Sequence, residues 1–279
     1  QILKNETHVC VFLVYAYMGL FYLLKERRLL FLTRTAILVD GGFYRKRAAY
    51  LWGQKTAEER AKELTAYCWA HLHNKDGSER RHLYRIFYYD CEPLDKTVYH
   101  PFLKLNVVMK NSETYTWTLK FLNELREKRK FALRLGEFSS VVGYNLRASV
   151  TKELLMGKRT LEDLKEDDFI FTGQQKGVDM KIGIDIAALA YKKQVDQIIL
   201  ISGDSDFVPA AKLARREGID FILDPMWAKI KPNLFEHIDG LASPWKKKDG
   251  LAAALAQSAD KPLEAEVPST DVHSTQQSE

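Results

Sequence analysis

The sequence predicts an α/β fold in which helices flank a mostly parallel central sheet. From residue 36 onward, short apolar runs alternate with stretches of helical periodicity. The composition is that of an ordinary globular protein, with 46% hydrophobic and 28% charged residues. A length of 279 residues leaves room for one α/β domain of about 200 residues with appendages. Collagen-like, wholly disordered and small disulfide-stapled classes are therefore excluded.

The first half of the predicted fold contains three strands and two helices. Residues 36–39 are all apolar, which is typical of a strand buried on both faces. Residues 57–72 predict a helix because apolar side chains recur along one face. Residues 83–89 are rich in aromatic side chains and predict a strand. Residues 112–128 then predict a helix, and the alternation over 131–138 predicts a strand.

The second half repeats this alternation. We expect short strands at 169–171, 197–201 and 220–223 and helices at 180–192 and 207–217. Strands that alternate with helices are joined by right-handed crossovers, so the sheet should be mostly parallel.

Three regions differ in composition. Residues 1–34 are an apolar extension with two interpretations left open, a membrane anchor at 9–24 or a translated segment foreign to the native protein. Residues 35–245 form the predicted domain. Residues 246–279 form an acidic tail with few large apolar side chains, for which we expect disorder.

Charge and cysteine content indicate the cellular compartment and the kind of partner to expect. The formal net charge is +5, and the acidic tail leaves the rest of the chain more basic, which suits a polyanionic partner. Cys10, Cys68 and Cys91 are odd in number and lack CxxC spacing. We therefore expect a reducing cytoplasmic location rather than a disulfide framework or a zinc knuckle. Membrane attachment is expected only if residues 9–24 are an anchor, and the oligomeric state stays open.

Aspartates are placed where a parallel sheet binds its ligands, at the carboxyl ends of its strands. Asp40 follows the first strand, and Asp204 and Asp206 follow the strand at 197–201. Asp179 lies at the start of the helix that feeds that strand, and this helix end should lie beside the same edge. Any one of these could cap a helix or form a turn. Four on one edge predict a shared site.

The helical phase distinguishes the expected roles of Asp179 and Asp185. At about 100° per residue, Asp179 falls near the apolar stripe of its helix, whereas Asp185 lies roughly 100° from that stripe. We therefore expect Asp185 to flank the site and reach it through water. Lys176, Ser202 and Ser205 are further flanking candidates, and Asp90 is expected to be a turn residue.

Clustered carboxylates stay ionised at neutral pH only where positive charge compensates them. Hard oxygen ligands suit Mg²⁺ or Mn²⁺, and the sequence lacks the Cys/His spacing that zinc prefers. Such an ion can activate water and stabilise charge on a phosphoryl group. Asp40, Asp179, Asp204 and Asp206 are therefore the predicted metal-binding and catalytic residues of a phosphodiester hydrolase.

A basic and aromatic run directly after Asp40 is the predicted RNA contact. Tyr44 could stack on a base while Arg45, Lys46 and Arg47 bind phosphates. A solvated helix face explains the same pattern equally well. The sequence has no Walker or GxGxxG loop after a strand, which argues against an ATPase or a dinucleotide enzyme.

Three motifs resemble those of the NYN family (the LabA-like or DUF88 group), relatives of PIN-domain ribonucleases. They are ILVDGGF at 37–43, KGVDMKIGID at 176–185 and ILISGDSDF at 199–207. The resemblance covers about residues 35–241 and implies a Rossmann-like PIN fold with a metal-dependent nuclease site for RNA, and single-stranded RNA is the expected partner. The four aspartates match the family's acidic positions, and Asp185 matches a further recurrent one.

The chain departs from the family at one point. Many members carry Asn shortly after the first aspartate, in the pattern DGxN, where this chain has Gly42 and Phe43. The first functional hypothesis is a metal-dependent ribonuclease. The alternative, favoured by that missing Asn, is a non-catalytic RNA- or protein-binding regulator on the same fold. A haloacid-dehalogenase-like phosphatase is disfavoured, because it needs Asp-x-Asp after the first strand.

Overall fold

A computed structural model describes residues 32–74 and 77–246. The predicted anchor at 9–24 and nearly all of the predicted acidic tail lie outside the described residues. Within them, none of the helices combines the length and the apolar character needed to cross a bilayer.

The centre of the molecule is a seven-stranded sheet with the order β6-β5-β2-β1-β7-β8-β9. All neighbouring strands are parallel except β5 and β6, which are antiparallel. The predicted mostly parallel sheet is therefore confirmed. The strands are β1 (Thr33–Asp40), β2 (Arg81–Cys91), β5 (Phe131–Leu146), β6 (Phe169–Lys176), β7 (Gln197–Ile201), β8 (Asp220–Asp224) and β9 (Gly240–Leu241).

Helices cover both faces of this sheet. They are α1 (Gly41–Trp52), α2 (Ala57–Ala70), α3 (Glu113–Arg126), α4 (Ala148–Leu155), α5 (Val178–Tyr191), α6 (Val208–Arg216) and α7 (Pro232–Phe235). The predicted helices at 57–72, 112–128, 180–192 and 207–217 are all present with shifted ends. The helix α1 was suggested only as the alternative explanation of the basic run at 44–47, and it is present.

The period-two alternation of β1 divides the core into two clusters. Ile37 and Val39 pack on one face with α1, α2 and α3. Ala36 and Leu38 pack on the other face with α5, α6 and α7. All four side chains are fully buried, so β1 is the centre of both clusters and its end is held rigidly.

The strands β5 and β6 are longer than predicted and extend past the sheet edge as an antiparallel arm. Only residues up to Gly136 of β5 pair with β2, and the remaining ten residues continue for about 30 Å. A hairpin of β3 (Thr97–His100) and β4 (Leu105–Val108) packs against this arm. The His100 ring lies 4.2 Å from that of Tyr144, measured between centroids.

Candidate active site

The ends of β1 and β7 are joined through one buried hydroxyl. Asp40 is the last residue of β1 and caps α1, because its Oδ1 accepts a hydrogen bond from Phe43 N at 3.0 Å. Ser202 follows β7, is fully buried, and donates from Oγ to Asp40 Oδ2 at 3.0 Å. Both oxygens of Asp40 are therefore held in place, and the carboxylate is only half-buried.

Asp204 and Asp206 share the turn that follows Ser202. Asp204 N donates to Ser202 Oγ at 3.3 Å, which connects this turn to the end of β1. Asp204 Oδ1 accepts from Asp206 N at 3.0 Å and caps a single 3-10 turn, Ser205–Phe207. The capping role considered for Asp206 thus belongs to Asp204. Both carboxylates are exposed.

Asp179 lies in the first turn of α5, which follows the arm strand β6. Gly177 precedes α5 with φ +80°, a left-handed conformation that turns the chain from β6 into the helix. Asp179 is the second residue of α5 and is exposed, whereas Ile182, Ile186 and Ala190 of the predicted stripe are buried. Lys176 is the last residue of β6 and is also exposed.

The pKa shifts of the aspartates place them within one another's field. Burial raises the pKa of Asp40, the bonds from Phe43 and Ser202 act to lower it, and the charge of Asp179 adds to the rise. Burial also raises the pKa of Asp179, and the charges of Asp204 and Asp206 raise it further. Acidic groups from β1, α5 and the turn after β7 therefore repel one another at one sheet edge.

Close packing around the edge depends on two glycines. A Cβ on Gly41 would lie 2.5 Å from the buried Tyr88 ring, and one on Gly203 would lie 2.7 Å from the ring of Phe43. Phe43 thus covers the loop before Asp204. Gly42, by contrast, has only ordinary van der Waals neighbours.

The oxygen atoms at this edge are suited to a hard divalent cation, although the carboxylates do not form a close group. All candidate ligands are carboxylate or hydroxyl oxygens, which Mg²⁺ and Mn²⁺ prefer. Among the residues that the structure describes, no three His, Cys, Asp or Glu side chains form a group that could hold a metal ion. Mg²⁺ commonly keeps several water ligands and needs only one or two carboxylates. The residues fit such an ion on that basis.

Asp185 makes two direct contacts, and its expected water-mediated contact with the site stays a prediction. Its Oδ2 accepts from Tyr89 Oη at 2.8 Å and from Arg134 Nε at 3.1 Å. Tyr89 is paired in register with Asp40, so Asp185 supports the strand next to the site.

Asp90 is not the turn residue that the sequence suggested. It lies inside β2 with a fully buried side chain, and Arg45 Nη2 donates to its Oδ1 at 3.0 Å. The arginine that stabilises the buried charge comes from α1.

The predicted RNA contact at 44–47 is wrong for Tyr44. Its ring is fully buried and its hydroxyl donates to Glu63 Oε1 at 3.1 Å, so no base can stack on it. Arg47 donates twice to the backbone carbonyl of Met226. Lys46 is exposed, and its RNA contact and that of Arg45 stay predictions.

Two polar residues near the site were missed by sequence reasoning. Lys231 Nζ donates to Ser205 Oγ at 3.0 Å and brings a positive charge beside Asp204 and Asp206. Gln175 of β6 donates from Nε2 to Asp90 at 3.4 Å. Neither residue lies in a recognisable motif, and their partners are distant in sequence.

The comparison with family models identifies the region that carries two of the three motifs. Residues 143–231, about a third of the chain, match the NYN domain. The resemblance to the NYN family is thus confirmed. NYN domains are grouped with the PIN-like ribonucleases, which generally use divalent metals, and the observed α/β sheet is consistent with a PIN-like fold.

The NYN match includes Asp179, Asp204 and Asp206, whereas Asp40 lies outside it. A solved protein of unknown function from Vibrio parahaemolyticus RIMD 2210633 is also similar, at 16% identity and a TM-score of 0.40, over 77% of this chain and 95% of that one. No curated protein matches the chain.

Proposed function

We propose that this protein is a Mg²⁺- or Mn²⁺-dependent ribonuclease that hydrolyses phosphodiester bonds of single-stranded RNA. The observation that carries the proposal is that Ser202 Oγ connects Asp40 of β1 to the turn that carries Asp204 and Asp206. The charge of Asp179 of α5 raises the pKa of Asp40, and the charges of Asp204 and Asp206 raise the pKa of Asp179. Helix capping alone does not require such convergence. The NYN match supports a nuclease of the PIN-like type.

Each aspartate has a role that its environment supports. Asp40 and Asp204, which Ser202 connects, would hold the ion together with water ligands, and Asp179 and Asp206 would bind it through water or orient the attacking water. A bound divalent ion supplies activation of water and neutralisation of charge on the phosphoryl oxygens. Ser202 keeps Asp40 oriented and, through its bond from Asp204 N, fixes the distance between the two strand ends.

Positive side chains around this edge would hold the RNA backbone. Lys46 lies in the second turn of α1, Lys176 at the end of β6 and Lys231 directly before α7, and all three are exposed. Flexible lysines on a rim bind phosphates without selecting a base sequence.

A second candidate is a non-catalytic NYN regulator that binds RNA or protein. Asp40 and Asp204 each commit one oxygen to a local backbone amide, as capping residues do. Phe43 also occupies the place where the family pattern has Asn.

Cleavage of a labelled single-stranded RNA separates the two candidates. Purified protein should cleave it with Mn²⁺ or Mg²⁺ and not with EDTA, and Asp204→Asn should slow cleavage by at least about 10²-fold. Asp167→Asn is the matched control, because Asp167 is an exposed carboxylate on the turn before β6. If wild type and Asp204→Asn cleave equally little while binding RNA alike, the nuclease proposal fails and the regulator is favoured.

A further inference from the structure

Asp90 is a buried aspartate at the candidate site that the proposed chemistry does not use. Tyr89 of β2 pairs in register with Asp40, so Asp90 lies one residue beyond the level of Asp40 on the neighbouring strand. Its side chain is fully buried. Four groups donate to it: Tyr88 Oη at 2.9 Å, Cys91 N at 2.8 Å, Arg45 Nη2 at 3.0 Å and Gln175 Nε2 at 3.4 Å.

Arg45 is held from two sides and remains partly open to solvent. Nη2 donates to Asp90, and Nη1 donates to Thr118 Oγ1 of α3 at 3.4 Å. A quarter of the Arg45 side chain is exposed. An arginine has five N–H donors, so these two bonds leave donors for a further acceptor.

The same arginine lies within the field of the carboxylate cluster. Burial lowers the pKa of Arg45, but interactions with Tyr88, Asp90, Cys91 and Asp40 raise it by more. The charge of Asp90 is in turn among the causes that raise the pKa of Asp40. The Gln175 amide oxygen lies beside the first turn of α1, 3.8 Å from where a Cβ on Gly42 would be.

A purely structural role explains this arrangement poorly. A buried ion pair is weak evidence for stability, because desolvating both charges offsets most of their attraction. Holding an arginine in one rotamer has a clear use in phosphate binding, since the fixed fork matches two phosphate oxygens.

We propose that Asp90 is a positioning residue, which with Thr118 holds Arg45 beside the carboxylate cluster so that its guanidinium binds a phosphate of the RNA. The proposal rests on the proposed function for its substrate class, RNA, and does not depend on cleavage. It predicts that Asp90 acts through Arg45 and never touches the substrate itself.

The test measures binding of a fluorescent single-stranded RNA by anisotropy, in Mg²⁺ and in an Asp204→Asn background. Arg45→Gln should weaken binding about tenfold and reduce the slope of log Kd against log salt by about 0.7, the value for one phosphate contact. Asp90→Asn, which keeps the shape of the side chain, should weaken binding about three- to tenfold. The double variant should bind no more weakly than Arg45→Gln, because both changes remove one contact.

The controls separate positioning from folding. Arg216→Gln removes an exposed arginine at the end of α6, 70% exposed, and should leave affinity unchanged. Circular dichroism checks that each variant is folded. If Asp90→Asn does not fold, Thr118→Val replaces it, since this change removes the other anchor of Arg45 without a buried charge change.

Four outcomes of these measurements support or overturn the proposed role of Asp90. Loss of affinity with non-additive single variants supports the proposal, whether or not wild type cleaves RNA. Unchanged binding by Arg45→Gln and by the anchor variant overturns it, and cleavage by wild type in that case leaves the nuclease proposal standing. Additive losses from Asp90→Asn and Arg45→Gln overturn it, because Asp90 then acts separately. Failure to bind RNA at all overturns both.

Discussion

Replacing Ser202 by alanine should loosen the candidate site, because it removes the hydroxyl that connects Asp40 to the Asp204 turn. The hydroxyl is fully buried and makes two bonds, to Asp40 Oδ2 at 3.0 Å and from Asp204 N at 3.3 Å. Alanine leaves the Asp204 amide without this acceptor and Asp40 Oδ2 without this donor, while Asp40 Oδ1 keeps its bond from Phe43 N.

The magnitude follows from the two bonds. A hydrogen bond to a charged group contributes about 1.5–3 kcal/mol, and one between neutral groups about 0.5–1.5 kcal/mol. Water can replace part of the first bond, because Asp40 is half-buried. We therefore expect a loss of about 2 kcal/mol in the free energy of unfolding. For a domain of this size that lowers the melting temperature by about 4–8 °C.

Thermal unfolding in EDTA measures this effect without contributions from bound metal. Ser149→Ala is the control, because Ser149 is an exposed serine at the start of α4. The Ser202 bond also lowers the pKa of Asp40, so the variant should keep Asp40 protonated to a higher pH. A melting temperature within 1 °C of wild type, on the order of 0.3 kcal/mol, would refute the bridge between β1 and β7.

Three other predictions concern residues at this edge and two buried thiols. Gly41→Ala should lower the free energy of unfolding, measured by urea denaturation, by about 3 kcal/mol. The reason is that the new Cβ would collide with the buried Tyr88 ring. Asp40→Asn should raise the melting temperature in EDTA at pH 7 and abolish cleavage. The pKa of Asp40 is raised in the folded state, so its ionisation lowers stability as pH rises above about 4, and asparagine removes that loss. Cys68 and Cys91 should resist alkylation at pH 8 in the native protein, as mass spectrometry would show. Burial raises the pKa of both thiols, that of Cys91 to about 11.

Each of these has a control and a contrary result. Gly183→Ala places a Cβ in open space within α5 and should stabilise by about 0.5–1 kcal/mol, so equal effects at Gly41 and Gly183 would contradict the packing argument. The rise in melting temperature from Asp40→Asn should vanish below about pH 4. A rise that persists there would contradict the assignment of this effect to the ionisation of Asp40. Rapid alkylation of Cys91 without unfolding would show that β2 opens.

The parts of the fold that rest on local sequence were predictable. An apolar run that ends in Asp-Gly defines β1 and its cap, and the helical periodicity of α2 and α5 survives in the structure. Asp40, Asp204 and Asp206 follow strands and Asp179 begins a helix in the sequence, so their places in the fold could be predicted, whereas their role in a metal site stays a prediction.

Features that depend on distant partners were not predictable. Tyr44 and Ala48 lie four residues apart and face the core together, a spacing that the neighbouring basic residues obscured. Asp90 was misjudged because its partner, Arg45, is 45 residues away. The length of β5 was underestimated because a register shift between Phe138 and Val142 interrupts its alternation.

The antiparallel arm has a consequence for how this molecule can vary. Glu137 pairs with Lys176 at the base of the arm, and α5 begins two residues later. The position of Asp179 is therefore fixed at the base, whatever the length of the distal segment that returns the chain. Insertions or deletions around α4 can accumulate there without displacing the acid, so the protrusion is free to diverge while the chemistry stays in register.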